Sequence, residues 1–257
     1  MTLRKRVLLI ATMTVMILAA IAVVPIHNRL VQTASASSNG GPRKSTVPGA
    51  STARTAAPAV YDDGSEMVGA HSHAQLTAEF WRWAYSIPAG VDPDSDTTGV
   101  NCGINQKGDV WFLGGAVNGD SSVTCNVPAD KTIVSGVYAS LDDYPCPPEF
   151  DFQPPPYQSL EQFLLQDDAQ FVDGVTATAQ LDGSQLKVKR IMSRLFSFTA
   201  AASHSVSDPC VTGSPQLGVS DGYFVFIDPL SRGHHLLQLS WNGPDGSGSH
   251  TVHLKIH

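Results

Sequence analysis

Arg4-Lys5-Arg6 is followed by twenty uncharged residues, Val7 to Ile26, in which only Thr12, Thr14 and Pro25 interrupt apolar or small side chains. At about 1.5 Å per residue, a helix over this run reaches across the ~30 Å core of a bilayer. It has no polar face, so it does not suit a helix packed against a globular domain. The run therefore divides the chain. Any soluble domain must follow it, and the basic cap places that remainder outside the cytoplasm. A secretory signal core is shorter, about 7–15 residues, so the length favours an uncleaved signal-anchor. Ala34-Ser35-Ala36 is a small-residue cleavage pattern and marks the other outcome, a cleaved signal peptide. Residues 1–32 are read as this targeting segment, with the membrane as its partner.

From Thr33 to Ala59, 22 of 27 residues are Ala, Ser, Thr, Gly or Pro. Such a segment buries too little apolar surface to offset chain entropy. Residues 33–60 are read as a disordered, flexible linker with an r.m.s. reach of about 30 Å. The charges divide at the same place. Residues 1–60 carry seven Lys or Arg and no acid, so all 23 acidic residues lie in 61–257 beside the nine remaining basic ones. An acidic domain is a poor neutraliser of phosphates, which argues against nucleic acid as a partner.

The four cysteines, Cys102, Cys125, Cys146 and Cys210, all lie in the exported part. An even count outside the cytoplasm predicts disulfides. Three pairings are open. Cys102–Cys125 with Cys146–Cys210 is preferred, because the first pair flanks one compact segment. The spacings lack the paired C-x-x-C knuckles of a zinc site.

Within 61–257 two short helices are predicted. The first spans 74–86 and stops before Pro88, with Leu76, Phe80, Trp83 and Ile87 on one face and Trp81 and Tyr85 beside it. The second spans 160–171, where Ser159 and Gln162 read as a capping box. The rest reads as about nine strands. Val110–Leu113, then Asn118-Gly119, then Val123–Cys125 reads as a hairpin. Val175–Leu181, Asp182-Gly183 and Leu186–Lys189 read as a second. Further strands are expected over 132–138, 195–199, 223–227, 236–241 and 251–256. In the last, Val252, Leu254 and Ile256 share a face opposite His253, Lys255 and His257. This pattern predicts an all-β domain of β-sandwich or jelly-roll type.

The stretches W-R-W-A-Y-S-I-P (81–88), D-x-x-G-x-x-C (96–102), Q-K-G-D-V-W-F-L-G-G (106–115), C-N-V-P-A-D-K (125–131) and D-G-Y-F-V-F-I-D-P-L-S-R-G-H-H (221–235) carry a resemblance. Over most of 76–257 the chain resembles a group of uncharacterised exported bacterial proteins with a β-sandwich. The resemblance implies the fold and the compartment. It supplies no catalytic residue.

Asp92, Asp94 and Asp96 alternate, the spacing by which calcium loops converge oxygens on one ion. Counted from Asp92, positions six and twelve hold Thr97 and Gly103 instead of the EF-hand Gly and Glu, so the match is partial. Calcium is the one cofactor the sequence suggests. His71 and His73, His234 and His235, and His253 and His257 are imidazole pairs without the context of a metal hydrolase. Glu79, Glu149 and Glu161 are candidates for a glycosidase carboxylate pair. No G-x-S-x-G elbow, P-loop or dinucleotide fingerprint is present. Two readings follow. One is an exported, membrane-tethered, non-catalytic module binding a glycan or an envelope protein, with Trp111 or Trp241 as stacking surfaces. The other is an extracytoplasmic hydrolase without a recognisable motif.

Overall fold

The computed structural model describes residues 60–115, 119–206 and 208–257. The apolar run at 7–26, the 33–59 linker and Asn118 lie outside the described residues. No helix among the described residues is long and apolar enough to cross a membrane. The described chain runs β1 (Val60–Tyr61), β2 (Met67–Val68), β3 (His71–Ser72), α1 (His73–Ser86), β4 (Val110–Leu113), β5 (Gly119–Val127) and β6 (Thr132–Tyr144). It continues through α2 (Leu160–Val172), β7 (Thr176–Leu181), β8 (Ser184–Gln185), β9 (Lys189–Met192), β10 (Phe196–Phe198), β11 (Gln216–Ile227), β12 (Gly233–Gly243) and β13 (Gly246–Ile256).

The domain is mostly β, as expected, with α1 and α2 as its two α-helices. One sheet has the order β1-β9-β11-β6-β4, with β10 also pairing β11, and the other the order β5-β13-β12-β7-β8. They pack face to face: Ile133, Val137, Val225 and Ile227 of the first meet Leu237, Leu239, Val252 and Leu254 of the second. Val252, Leu254 and Ile256 do share the buried face of β13. A β-bulge lets both Val137 and Tyr138 reach this core, because the register with β11 jumps from Tyr223↔Tyr138 to Phe224↔Gly136.

The outer face of the first sheet is covered by α1, where Leu76, Phe80 and Trp83 pack with Val134 and Phe224. Trp81 and Tyr85 are buried with them. Meanwhile α2 packs on β6 and β11 through Leu164 and Val219. The cap geometry differs from expectation. Ser159 accepts from Gln162 N without the return bond, whereas Ser72 and Gln75 form the complete capping box.

Two strand pairings are corrected. The strands β4 and β5 do not form a hairpin. Instead β4 lies parallel to β6 in the first sheet, and β5 lies parallel to β13 in the second. The chain crosses between sheets through Gly114-Gly115, where a Cβ on Gly115 would stand 2.1 Å from the Gly136 carbonyl oxygen. The Asp182-Gly183 turn is real, but its second arm is only β8, and Lys189 belongs to β9 in the other sheet.

Candidate functional site

The two disulfides are Cys102–Cys125 and Cys146–Cys210, with Cα separations of 5.7 and 4.3 Å. The first ties the loop after α1 to β5. The second ties the segment following β6 to the loop that leads into β11. No cysteine is free.

The acidic loop is built by its own carboxylates. Asp92 Oδ1 accepts from the amides of Asp94 and Ser95, and Oδ2 from Gly90 N and the Ser95 hydroxyl. Asp96 Oδ1 accepts from the Thr98 and Gly99 amides and the Thr98 hydroxyl, and Oδ2 from Asn101 N at 2.8 Å. Partial burial acts to raise the Asp96 pKa, but these donors outweigh it and hold the carboxyl below its usual range. Asp94 goes the other way, pushed up to about 7 by desolvation and then by the charge of Asp92. Asp92, Asp94 and Asp96 are not among the groups whose ligand atoms the structure brings within 4.8 Å of one another. Alternation along a loop brings carboxylates together only where the backbone curls around an ion. Here the backbone folds around each carboxylate separately.

Beside this loop lies a partly open crevice with room for little more than one water-sized group. Its walls are the Trp83 and Phe112 rings and the Cys102–Cys125 disulfide, and its polar groups are Asp96, Asn101 and His250. The two rings stack at 5.8 Å, and Trp83 Nε1 donates to the Ile104 carbonyl. Gly99 closes the floor at φ +84°, where a Cβ would meet the Thr124 carbonyl oxygen at 2.3 Å. His250 comes from β13 and its Nδ1 stands 2.7 Å from Ser121 Oγ. Burial pushes its pKa down to about 4, so the imidazole is neutral near neutral pH. Apolar walls with a few fixed polar groups suit a small neutral ligand. Sequence reasoning missed His250, because a lone histidine carries no spacing signal.

The other candidate residues are dispersed. Trp241 is buried and Trp111 packs against the core. Glu79 pairs with His71, Glu161 accepts from Leu195 N and Arg194, and Glu149 stands in the turn Pro148–Phe150. His234, His253 and His257 are exposed. His235 Nδ1 lies 2.7 Å from Asp182 Oδ2, while its Nε2 lies 3.0 Å from the Ser231 carbonyl oxygen and 3.5 Å from Ser231 Oγ. Among the described residues, the group able to converge on a cation is Asp62, Glu66 and His73. Lys189 Nζ already contacts all three. Neither this cluster nor Asp168 was legible in sequence. Asp168 lies on the buried face of α2, where its Oδ2 accepts from Asp221 N, and desolvation raises its carboxyl well above the usual range.

No protein-family model matches this chain, and no curated protein matches it in sequence. Among solved structures, a chain from the structure of PbICP-C in complex with falcipain-2 is similar over 58% of this chain and all of that one, at 12% identity and a TM-score of 0.20. A likeness this slight carries no argument about fold or function.

Proposed function

We propose that this chain is an exported, membrane-tethered binding module of the bacterial cell envelope. Its ligand, a small neutral group of an envelope glycan or protein, occupies the crevice beside Cys102–Cys125. The carrying observation is the crevice itself: aromatic walls, a neutral imidazole and a rim set by a disulfide and an amide-saturated carboxylate. The two disulfides support an oxidising compartment. The basic cap and apolar run support the tether.

Two measurements test this reading. Protease added to inner-membrane vesicles of cytoplasm-out orientation should leave the domain intact, and digestion of the 33–59 linker there refutes export. A mature start at Ser37 would replace the anchor with a cleaved signal. Purified protein should co-sediment with isolated cell-wall material, and Asn101→Trp, which fills the crevice, should reduce the bound fraction several-fold. Equal co-sedimentation of both proteins removes the crevice from the reading.

A hydrolase is the second reading, and the order Asp182–His235–Ser231 favours it. Against it, Nε2 is nearer the Ser231 carbonyl than the hydroxyl, which commits that nitrogen as a donor instead of a base. Labelling of Ser231 by a fluorophosphonate, lost in Ser231→Ala, would reinstate it.

A further inference from the structure

The first described strand is held to its sheet over a short stretch. Only two register pairs, Val60↔Lys189 and Tyr61↔Arg190, join β1 to its parallel neighbour β9, with Asp62 N donating to the Arg190 carbonyl just beyond. At the same point the structure places an amine against a carboxyl. Lys189 Nζ stands 3.0 Å from Asp62 Oδ2, and the two side chains are 6% and 10% exposed. Around them are Gly64 N, which donates to Asp62 Oδ1 at 2.7 Å, and His73 Nδ1, 3.3 Å from Oδ2. Glu66 Oε2 contacts the Lys189 ammonium from the solvent side. His73 is itself fixed by stacking on Phe226 at 3.8 Å.

We propose that Asp62 and Lys189 become joined by an intramolecular amide bond, welding the first strand to the sheet, with Glu66 relaying the proton. Glu66 takes a proton from the ammonium, and the freed amine lone pair attacks Asp62 Cγ. The Gly64 N–H stabilises the charge that builds on Oδ1. Oδ2 is the leaving oxygen. It receives the proton held by Glu66 and the second proton shed by the nitrogen. The C–O bond breaks and one water leaves. The balance is –NH₃⁺ and –COO⁻ to –NH–CO– and H₂O, with Glu66 returned to carboxylate and no oxidant or other reactant required. Condensation is disfavoured between free molecules in water. Holding Nζ 3.0 Å from the Asp62 carboxylate makes the attack intramolecular and so speeds it. Burial of the pair also keeps bulk water from the amide once formed. A metal at Asp62, Glu66 and His73 would need the space that the ammonium fills.

The test is direct. Trypsin acting on the purified, reduced protein cuts after Arg54, Arg82, Lys187 and Arg190 but not at an acylated Lys189. The expected product is a branched peptide, 55–82 joined to 188–190 and one water lighter than the two together, with fragments locating the branch at Asp62 and Lys189. Finding 55–82 unbranched, with cleavage after Lys189, overturns the proposal. Because this result needs only the wild-type protein, it does not depend on a variant folding. Glu66→Gln should cut the branched fraction at least tenfold. A branch formed equally fast in that variant overturns the relay.

Discussion

The side chain of Gln106 pairs with the backbone of Phe112 as a neighbouring strand would: Nε2 donates to the Phe112 carbonyl at 2.7 Å, and Oε1 accepts from Phe112 N–H at 2.9 Å. Phe112 lies in β4, the end strand of its sheet. An unpaired edge is a template for another chain, and here one amide closes it. The same Nε2 also reaches the Cys102 carbonyl, so the edge, the disulfide and the crevice wall share one anchor.

Gln106→Ala should therefore take a partner from three backbone groups, the Phe112 N–H and carbonyl and the Cys102 carbonyl. The expected loss is about 1–3 kcal/mol in urea unfolding, with faster hydrogen exchange at the Phe112 amide and more self-association. Unchanged exchange there would show that water serves as well as Gln106.

Non-reducing peptide mapping should recover Cys102 with Cys125 and Cys146 with Cys210. Replacing either pair by serine should cost about 2–4 kcal/mol. Free thiols in protein recovered from the envelope would contradict the oxidising compartment.

Stability should fall on the acid side through His250. Its pKa is depressed to about 4 by burial, so the unfolded chain binds its proton first. The contribution is complete above the ordinary histidine value of about 6.5 and is lost as pH falls towards 4, about 3 kcal/mol in all. His250→Gln should flatten that limb of the pH–stability curve. An equally steep limb in the variant assigns it elsewhere.

Asp94 acts in the opposite sense. Its carboxyl is raised to about 7, so its stabilising protonation is complete below about 4 and is lost as pH rises through 7. With partial exposure weighed in, Asp94→Asn should stabilise the domain by roughly 1–2 kcal/mol at pH 8 and leave it unchanged at pH 4. Calcium and chelator should give the same melting temperature, since Asp92 and Asp96 already spend their oxygens on the loop. A calcium-dependent rise that disappears in Asp94→Ala with Asp96→Ala would restore the metal.

What the sequence determined by itself was local. The ends of α1 and α2, the buried stripe Leu76, Phe80, Trp83 and Ile87, the alternation in β13 and the turn at Asp182-Gly183 are written within a few residues of where they act. The two disulfides were also legible, because few pairings of four cysteines are possible and chain closeness favours one of them. Tertiary structure alone decided which strands pair. Alternation shows that Val110–Leu113 and Val123–Cys125 are strands, but both runs have the same period whichever partner they take, and their partners are β6 and β13. It also decided the meeting of Asp62 with Lys189, 127 positions away in the chain, and the neutrality of His250. Burial and charge proximity are properties of the packed sheets, and no short window of residues contains them.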